Sequence, residues 1–98
     1  MSYRPKRTKK DKNHLDIVKM CREEGMIVWD LADLGGEILD IIVFWKGKIL
    51  VVEIKDVGKE KNLTESEKQS IASLRKVGIE ALVASNTQQI INAFEEKE

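Results

Sequence analysis

Asp40, Glu53 and Lys55 are the residues of this chain whose types and spacing could do chemistry together. Asp40 opens the apolar run Ile41-Ile42-Val43-Phe44-Trp45, and Glu53 and Lys55 close a second run that begins Ile49-Leu50-Val51-Val52. Between the runs stands Lys46-Gly47, a short turn signal between two segments dense in β-branched residues. Read as a two-residue turn, it pairs Trp45 with Lys48, so that Phe44 faces Ile49, Ile42 faces Val51 and Asp40 faces Glu53. Directly opposed side chains of an antiparallel pair share a face, with Cβ atoms about 4.5–5.5 Å apart. Two carboxylates therefore meet at the end of an apolar stripe, which is destabilising unless positive charge compensates them. Lys55, two residues beyond Glu53, falls on the same face and neutralises part of the pair. A divalent cation would neutralise the rest, and Mg²⁺ is commonly bound by one or two carboxylates together with phosphate and water.

A plainer reading has Asp40 beginning an edge strand and Glu53-x-Lys55 forming a surface charge pair. The same Glu-x-Lys pattern recurs at Glu95-Glu96-Lys97, where it carries no chemistry, so the pattern alone is weak. Context separates the two: the first copy ends a buried apolar run opposite an Asp. Other chemistries have little support. The single His14 and the single Cys21, seven residues apart on one helix, are expected to point to different faces, and no Gly-x-x-x-x-Gly-Lys-Ser/Thr loop is present to cradle a nucleotide.

The elements that must position these residues follow from periodicity and punctuation. Apolar spacing over residues 13 to 25 predicts a helix closed by Gly25, followed by an extended run from Met26 to Trp29. A turn-rich loop containing Gly35-Gly36 leads into strands Ile38 to Trp45 and Ile49 to Lys55. Thr64 with Glu67 three residues later forms a capping box that starts a helix running to about Val77 and ended by Gly78. Glu80 to Ser85 predicts another strand, and Ser85 or Asn86 caps a last helix through Phe94. The result is an α/β domain in the order α-β-β-β-α-β-α, a mixed β-sheet with a central hairpin, flanked by helices on both faces.

At 98 residues the chain holds one folded domain, and its zero net charge conceals an asymmetry. Residues 1–12 carry six basic groups against Asp11, a basic N-terminal arm suited to phosphate, while the domain of residues 13–98 is acidic. An acidic body repels a polyanion unless its carboxylates are gathered around a cation. With one cysteine there is no internal disulfide, and no apolar run approaches the roughly 20 residues of a membrane helix. Met1-Ser2-Tyr3-Arg4-Pro5-Lys6 lacks the apolar stretch of a signal peptide, so a soluble, cytoplasmic protein is expected. Trp29, Trp45 and Phe94 are candidate anchors of a subunit interface, or else core.

Gly35-Gly36-x-x-x-Asp40, then Glu53-x-Lys55, then a helix bearing Gln69, resembles the PD-(D/E)XK nuclease superfamily. Within it the chain is similar to the VRR-NUC group of small stand-alone phage and bacterial nucleases, which are Holliday-junction-resolvase-like. Asn13-His14-x-Asp16-Ile17-Val18 and Leu63-Thr64-x-x-x-x-Gln69 fit the same pattern, whereas Leu39 stands where the family usually has Pro. The resemblance implies a restriction-endonuclease-like fold and metal-dependent hydrolysis of DNA phosphodiester bonds. It implies that Asp40 and Glu53 bind Mg²⁺ (Mn²⁺ substituting) with the backbone carbonyl of Ile54, that Lys55 activates water, and that Gln69 and Asp16 support the site. It further implies a homodimer acting on branched DNA, such as a four-way junction, in a bacterial cell or phage-infected host. The alternative is a catalytically silent nucleic-acid-binding module of the same fold.

Overall fold

The computed structural model describes residues 11–34 and 38–96; the basic arm as far as residue 10 and the Gly35-Gly36 loop lie outside the described residues. Its elements are α1 (His14–Glu23), β1 (Ile27–Asp30), a 3₁₀ turn (Ala32–Leu34), β2 (Ile41–Trp45), β3 (Lys48–Ile54), α2 (Glu65–Lys76), β4 (Glu80–Ala84) and α3 (Thr87–Glu95). The four strands form one sheet in the order β1-β2-β3-β4, antiparallel at the first two junctions and parallel between β3 and β4. The α-β-β-β-α-β-α order and the mixed sheet are those expected from the sequence.

The hairpin register is also as expected, with Trp45 opposite Lys48, Phe44 opposite Ile49 and Ile42 opposite Val51. Lys46 and Gly47 both take left-handed backbone angles, φ 51° and 74°, the signature of a type I′ turn whose twist matches that of the flanking strands. Period-2 alternation then sorts the sheet into two faces. Val43, Leu50, Val52 and Ile54 pack against Ile17, Val18 and Cys21 of α1 and Ile90 and Phe94 of α3. Leu39, Val51 and Ala81 pack against Ile71 of α2 on the other face. As a central strand covered on both faces, β3 is buried continuously from Leu50 to Ile54, which explains why its sequence is apolar there except at Glu53.

Two boundaries differ from the sequence expectation, each for a local reason. The second strand begins at Ile41 rather than Ile38. Leu31 N–H still reaches the Asp40 carbonyl, but on the β3 side the Ile54 N–H bonds the Asp40 carboxylate, so a side chain ends the ladder there. At the start of α1, Asn13 occupies the cap position without capping the helix; its amide donates instead to the carbonyls of Lys55 and Ser85, at 3.0 and 2.7 Å. His14 is buried and its Nε2 lies 3.0 Å from Asp30 Oδ1, tying α1 to the end of β1. Cys21 is buried with it: seven residues make nearly two full helical turns, so the two share the inner face of α1 rather than the different faces expected from the sequence. Trp45 and Phe94 make an edge-to-face pair with centroids 5.6 Å apart beneath α3, so both belong to the interior. Among the described residues no helix is long and apolar enough to cross a membrane.

The turn offers a direct check on this architecture. A Cβ at residue 47 meets no neighbour, so Gly47→Ala isolates the cost of the left-handed angle. That cost is about 1–2 kcal/mol, expected as a lower denaturation midpoint with an unchanged denaturant slope.

Candidate active site

The hairpin carries Asp40 and Glu53 to the same end of the same sheet face, one from each strand. The pairing of Ile41 with Val52, continued by one residue, sets them opposite each other. Both are buried, at 1 % and 2 % relative exposure, where isolated carboxylates are rarely found. Asp40 Oδ2 accepts the Ile54 N–H at 2.8 Å, which fixes the carboxylate against the backbone of β3. Glu53 Oε1 is buried and accepts no hydrogen bond among the described residues.

The electrostatics follow from that placement. Burial, then the neighbouring Asp40 charge, then a hydrogen bond to Glu67 push Glu53 up to about 9, against the smaller opposing influence of Lys55. Glu67 moves the other way. Burial alone would raise it, but hydrogen bonds with Thr64 N–H, Glu53 and Lys55 hold it below the usual carboxylate range.

Lys55 closes the site on the α2 side. Its Nζ lies 3.2 Å from Glu67 Oε1 and 3.8 Å from Glu53 Oε2. Its backbone is held separately: the N–H donates to the Ala84 carbonyl at 3.0 Å and the carbonyl accepts from Asn13. Glu67 is the third residue of α2 after its Thr64 cap, so the first turn of the helix, its electropositive end, is docked at the carboxylates.

The structure brings Asp40, Glu53, Lys55 and the backbone of Ile54 together and places the remaining candidates apart. The Ile54 side chain is buried on the opposite face, while its N–H is committed to Asp40. Gln69 is exposed on the flank of α2 and, among the described residues, makes no hydrogen bond to Asp40, Glu53 or Lys55. It borders a cavity of about 450 Å³ whose apolar wall includes Leu31, Leu39, Ile42, Val51 and Leu74. Asp16 is exposed on α1, across the sheet from α2, and lines a different cavity with Asn86, Thr87 and Gln88. Glu67 is visible in the sequence only as a capping-box residue and Asn13 only as part of the family-like motif; the capping box is present, yet the Glu67 carboxylate also serves Lys55.

Two carboxylates on one face, one of them with an oxygen lacking a donor and both destabilised by proximity, make a donor set suited to a hard divalent cation. Among the described residues no group of three or more His, Cys, Asp or Glu side chains is placed to hold a metal ion. An open pair of this kind leaves positions for water and phosphate, as Mg²⁺ sites do.

Comparison with known proteins now bears on this geometry. No protein-family model matches the sequence, and no curated protein matches it. A solved structure described as a VRR_NUC domain superposes with a TM-score of 0.66, covering 88 % of this chain and 98 % of its own, at 22 % identity. The chain has the fold of a VRR_NUC domain. The superposition spans nearly all of that VRR_NUC structure.

The buried carboxyl group makes the metal-free protein sensitive to pH. Glu53 is raised from 4.5 to about 9, so its neutral form is the one the fold favours. Stability from this group is complete below about 4.5 and is lost as pH rises toward about 9, because the folded state must then bury a charge. In chelating buffer the melting temperature of the wild type should therefore fall across this range relative to that of Glu53→Gln, the two curves diverging with pH in thermal melts.

Proposed function

We propose that the protein is a metal-dependent endonuclease that hydrolyses DNA phosphodiester bonds, selective for branched DNA and acting as a homodimer. The observation that carries the reading is the buried Asp40–Glu53 pair with Lys55 beside it, on the fold of a VRR_NUC domain. A buried pair of like charges is destabilising by itself, and Asp40 and Glu53 would offset that cost by holding a cation, which would supply positive charge to an anionic phosphate.

Asp40 and Glu53 would hold Mg²⁺, with Mn²⁺ able to replace it and the Ile54 carbonyl as a further oxygen ligand. When bound, such an ion acidifies water and neutralises charge on phosphoryl oxygens. The chain's own residues do the rest. Asp40, clamped by the Ile54 N–H, and Glu53, on the central strand, present two fixed oxygen donors to one side of the scissile phosphate. Lys55 places its ammonium 3.8 Å from Glu53, where it orients the attacking water and stabilises the charge that gathers on the phosphoryl group. Water oxygen adds to phosphorus, the bond to the leaving ester oxygen breaks, and that oxygen takes up a proton. Gln69 borders the mainly apolar cavity beneath α2, apart from the carboxylates, and would support the substrate or the water only from there. Asp16, on the other face, would act only at a distance through α1.

The homodimer rests on an uncovered part of the same sheet face. Trp29, at 56 % exposure, packs edge-to-face on Phe44 with centroids 4.8 Å apart, and Ile27 and Ile49 are exposed beside them. The apolar side chains that pack with α2 lie mainly on β3 and β4, leaving this aromatic patch for a second copy. Two copies joined there would hold two cleavage sites at fixed separation, matching the paired strands of a junction. The basic arm would bind the DNA backbone beside them.

The deciding measurement is cleavage of labelled linear duplex, single-stranded, flap and four-way-junction DNA with Mg²⁺, with Mn²⁺ and with chelator. Junction cutting that needs metal and drops at least 100-fold in Lys55→Ala and Asp40→Asn is expected. Asn preserves an acceptor for the Ile54 N–H, so its loss of activity reports the charge rather than the fold. Tight binding without cutting under every metal would replace the hydrolase with the silent module.

Two further outcomes address assembly and the arm. Sedimentation should give a dimer that Trp29→Ser shifts toward monomer; a monomeric wild type at high concentration would remove the paired-site model. Deleting residues 1–10 should weaken DNA binding and flatten its salt dependence, by about one unit of slope for each phosphate the arm neutralises.

A further inference from the structure

Lysine reaches its target on four flexible methylenes, so an ammonium that acts at one atom must be held from its far end. The backbone of Lys55 is fixed at both amide ends, by Ala84 and by Asn13. What remains is the side chain, and the closest carboxylate to its Nζ is Glu67 Oε1 at 3.2 Å, not Glu53 at 3.8 Å. The same Oε1 accepts the Thr64 N–H at 2.9 Å, while Thr64 Oγ1 accepts the Glu67 N–H at 3.1 Å. One carboxylate oxygen is thus shared between a backbone donor at the start of α2 and the ammonium of the neighbouring strand.

That sharing gives the oxygen its leverage. A free surface carboxylate would follow the lysine, whereas one pinned to a helix terminus cannot move without opening the capping box. The Glu67 and Lys55 side chains are both largely withdrawn from water, which strengthens the pair relative to an exposed one. We propose that Glu67 is a positioning residue: through its helix-cap contact it fixes the Lys55 ammonium at the height of the carboxylate pair, without touching the substrate. The inference rests on Lys55 acting at the phosphate, as in the proposed hydrolase.

Two variants separate the cap from the charge. Glu67→Gln keeps an oxygen for the Thr64 N–H, since Gln serves equally in a capping box, but it withdraws the negative charge from Lys55. Thr64→Ala removes the hydroxyl half of the cap and leaves Glu67 and its backbone donor in place. On four-way-junction DNA with Mg²⁺, Glu67→Gln should lower kcat roughly 10–100-fold, the range seen when a supporting partner of a site residue is removed, with KM and melting temperature nearly unchanged. Thr64→Ala should lower the melting temperature and keep wild-type kcat where it is folded. A wild-type kcat in Glu67→Gln overturns the proposal, as does a kcat that tracks melting temperature in both variants. Should the wild type cut no DNA at all, the hydrolase reading fails instead, and the positioning is decided by NMR of the lysine ammonium groups. A Lys55 Nζ–H signal protected from exchange in the wild type and absent in Glu67→Gln supports it; equal exchange in both overturns it.

Discussion

Two carboxylates buried side by side in the middle of a sheet are the constraint on which the rest of this structure depends. Neither the hydrophobic core nor the hairpin requires them, and each is unfavourable where it stands. The surroundings are arranged to offset that cost. The Ile54 N–H leaves the strand ladder to bind Asp40, Lys55 and the electropositive start of α2 approach Glu53, and Glu53 itself favours its neutral form. One oxygen of Glu53 is still left without a donor among the described residues. A fold that commits this many groups to one pair, and leaves one acceptor open, presents the oxygen donors that the proposed cation would use.

The same constraint explains the division of the two sheet faces. The face under α1 and α3 is built from Val43, Leu50, Val52 and Ile54 and serves as the main apolar interior. On the face under α2, apolar packing by Ile71, Val51 and Ala81 gives way within two residues of Val51 to charged groups. Helix α2 serves both: its middle turns seal the core, and its first turn supplies Glu67 to Lys55. Packing and polar organisation therefore meet on one helix, and the capping box is the point of contact between them.

Much of this was legible in the sequence, because a two-residue turn fixes register and register fixes faces. The opposition of Asp40 and Glu53, the place of Lys55 and the cap of α2 all follow from local rules. What was not legible depends on groups far apart in the chain. Ile38 to Asp40 read as strand because their composition is strand-like, and only the Asp40 carboxylate taking the Ile54 N–H ends the ladder earlier. Asn13 stands in the sequence only at the start of a helical span, and its amide crosses to Lys55 and Ser85. Glu67 reads as a capping residue and nothing more until α2 is laid over β3. Trp45 reads in the sequence as interface or core alike; it shares the parity of Ile41 and Val43, both core, and it packs against the interior with Phe94.

The turn at Lys46-Gly47 has a consequence beyond connecting two strands. Because successive side chains alternate faces, one residue added or removed there would exchange the inner and outer faces of β2 against β3. Asp40 would swing under α1 and α3 while Val43 surfaced, so the carboxylate pair and the apolar interior would come apart in the same event. The hairpin thus behaves as a parity check. A chain of this design cannot miscount at its centre and stay well folded: the count of residues in the turn guards the interior and the carboxylate pair together.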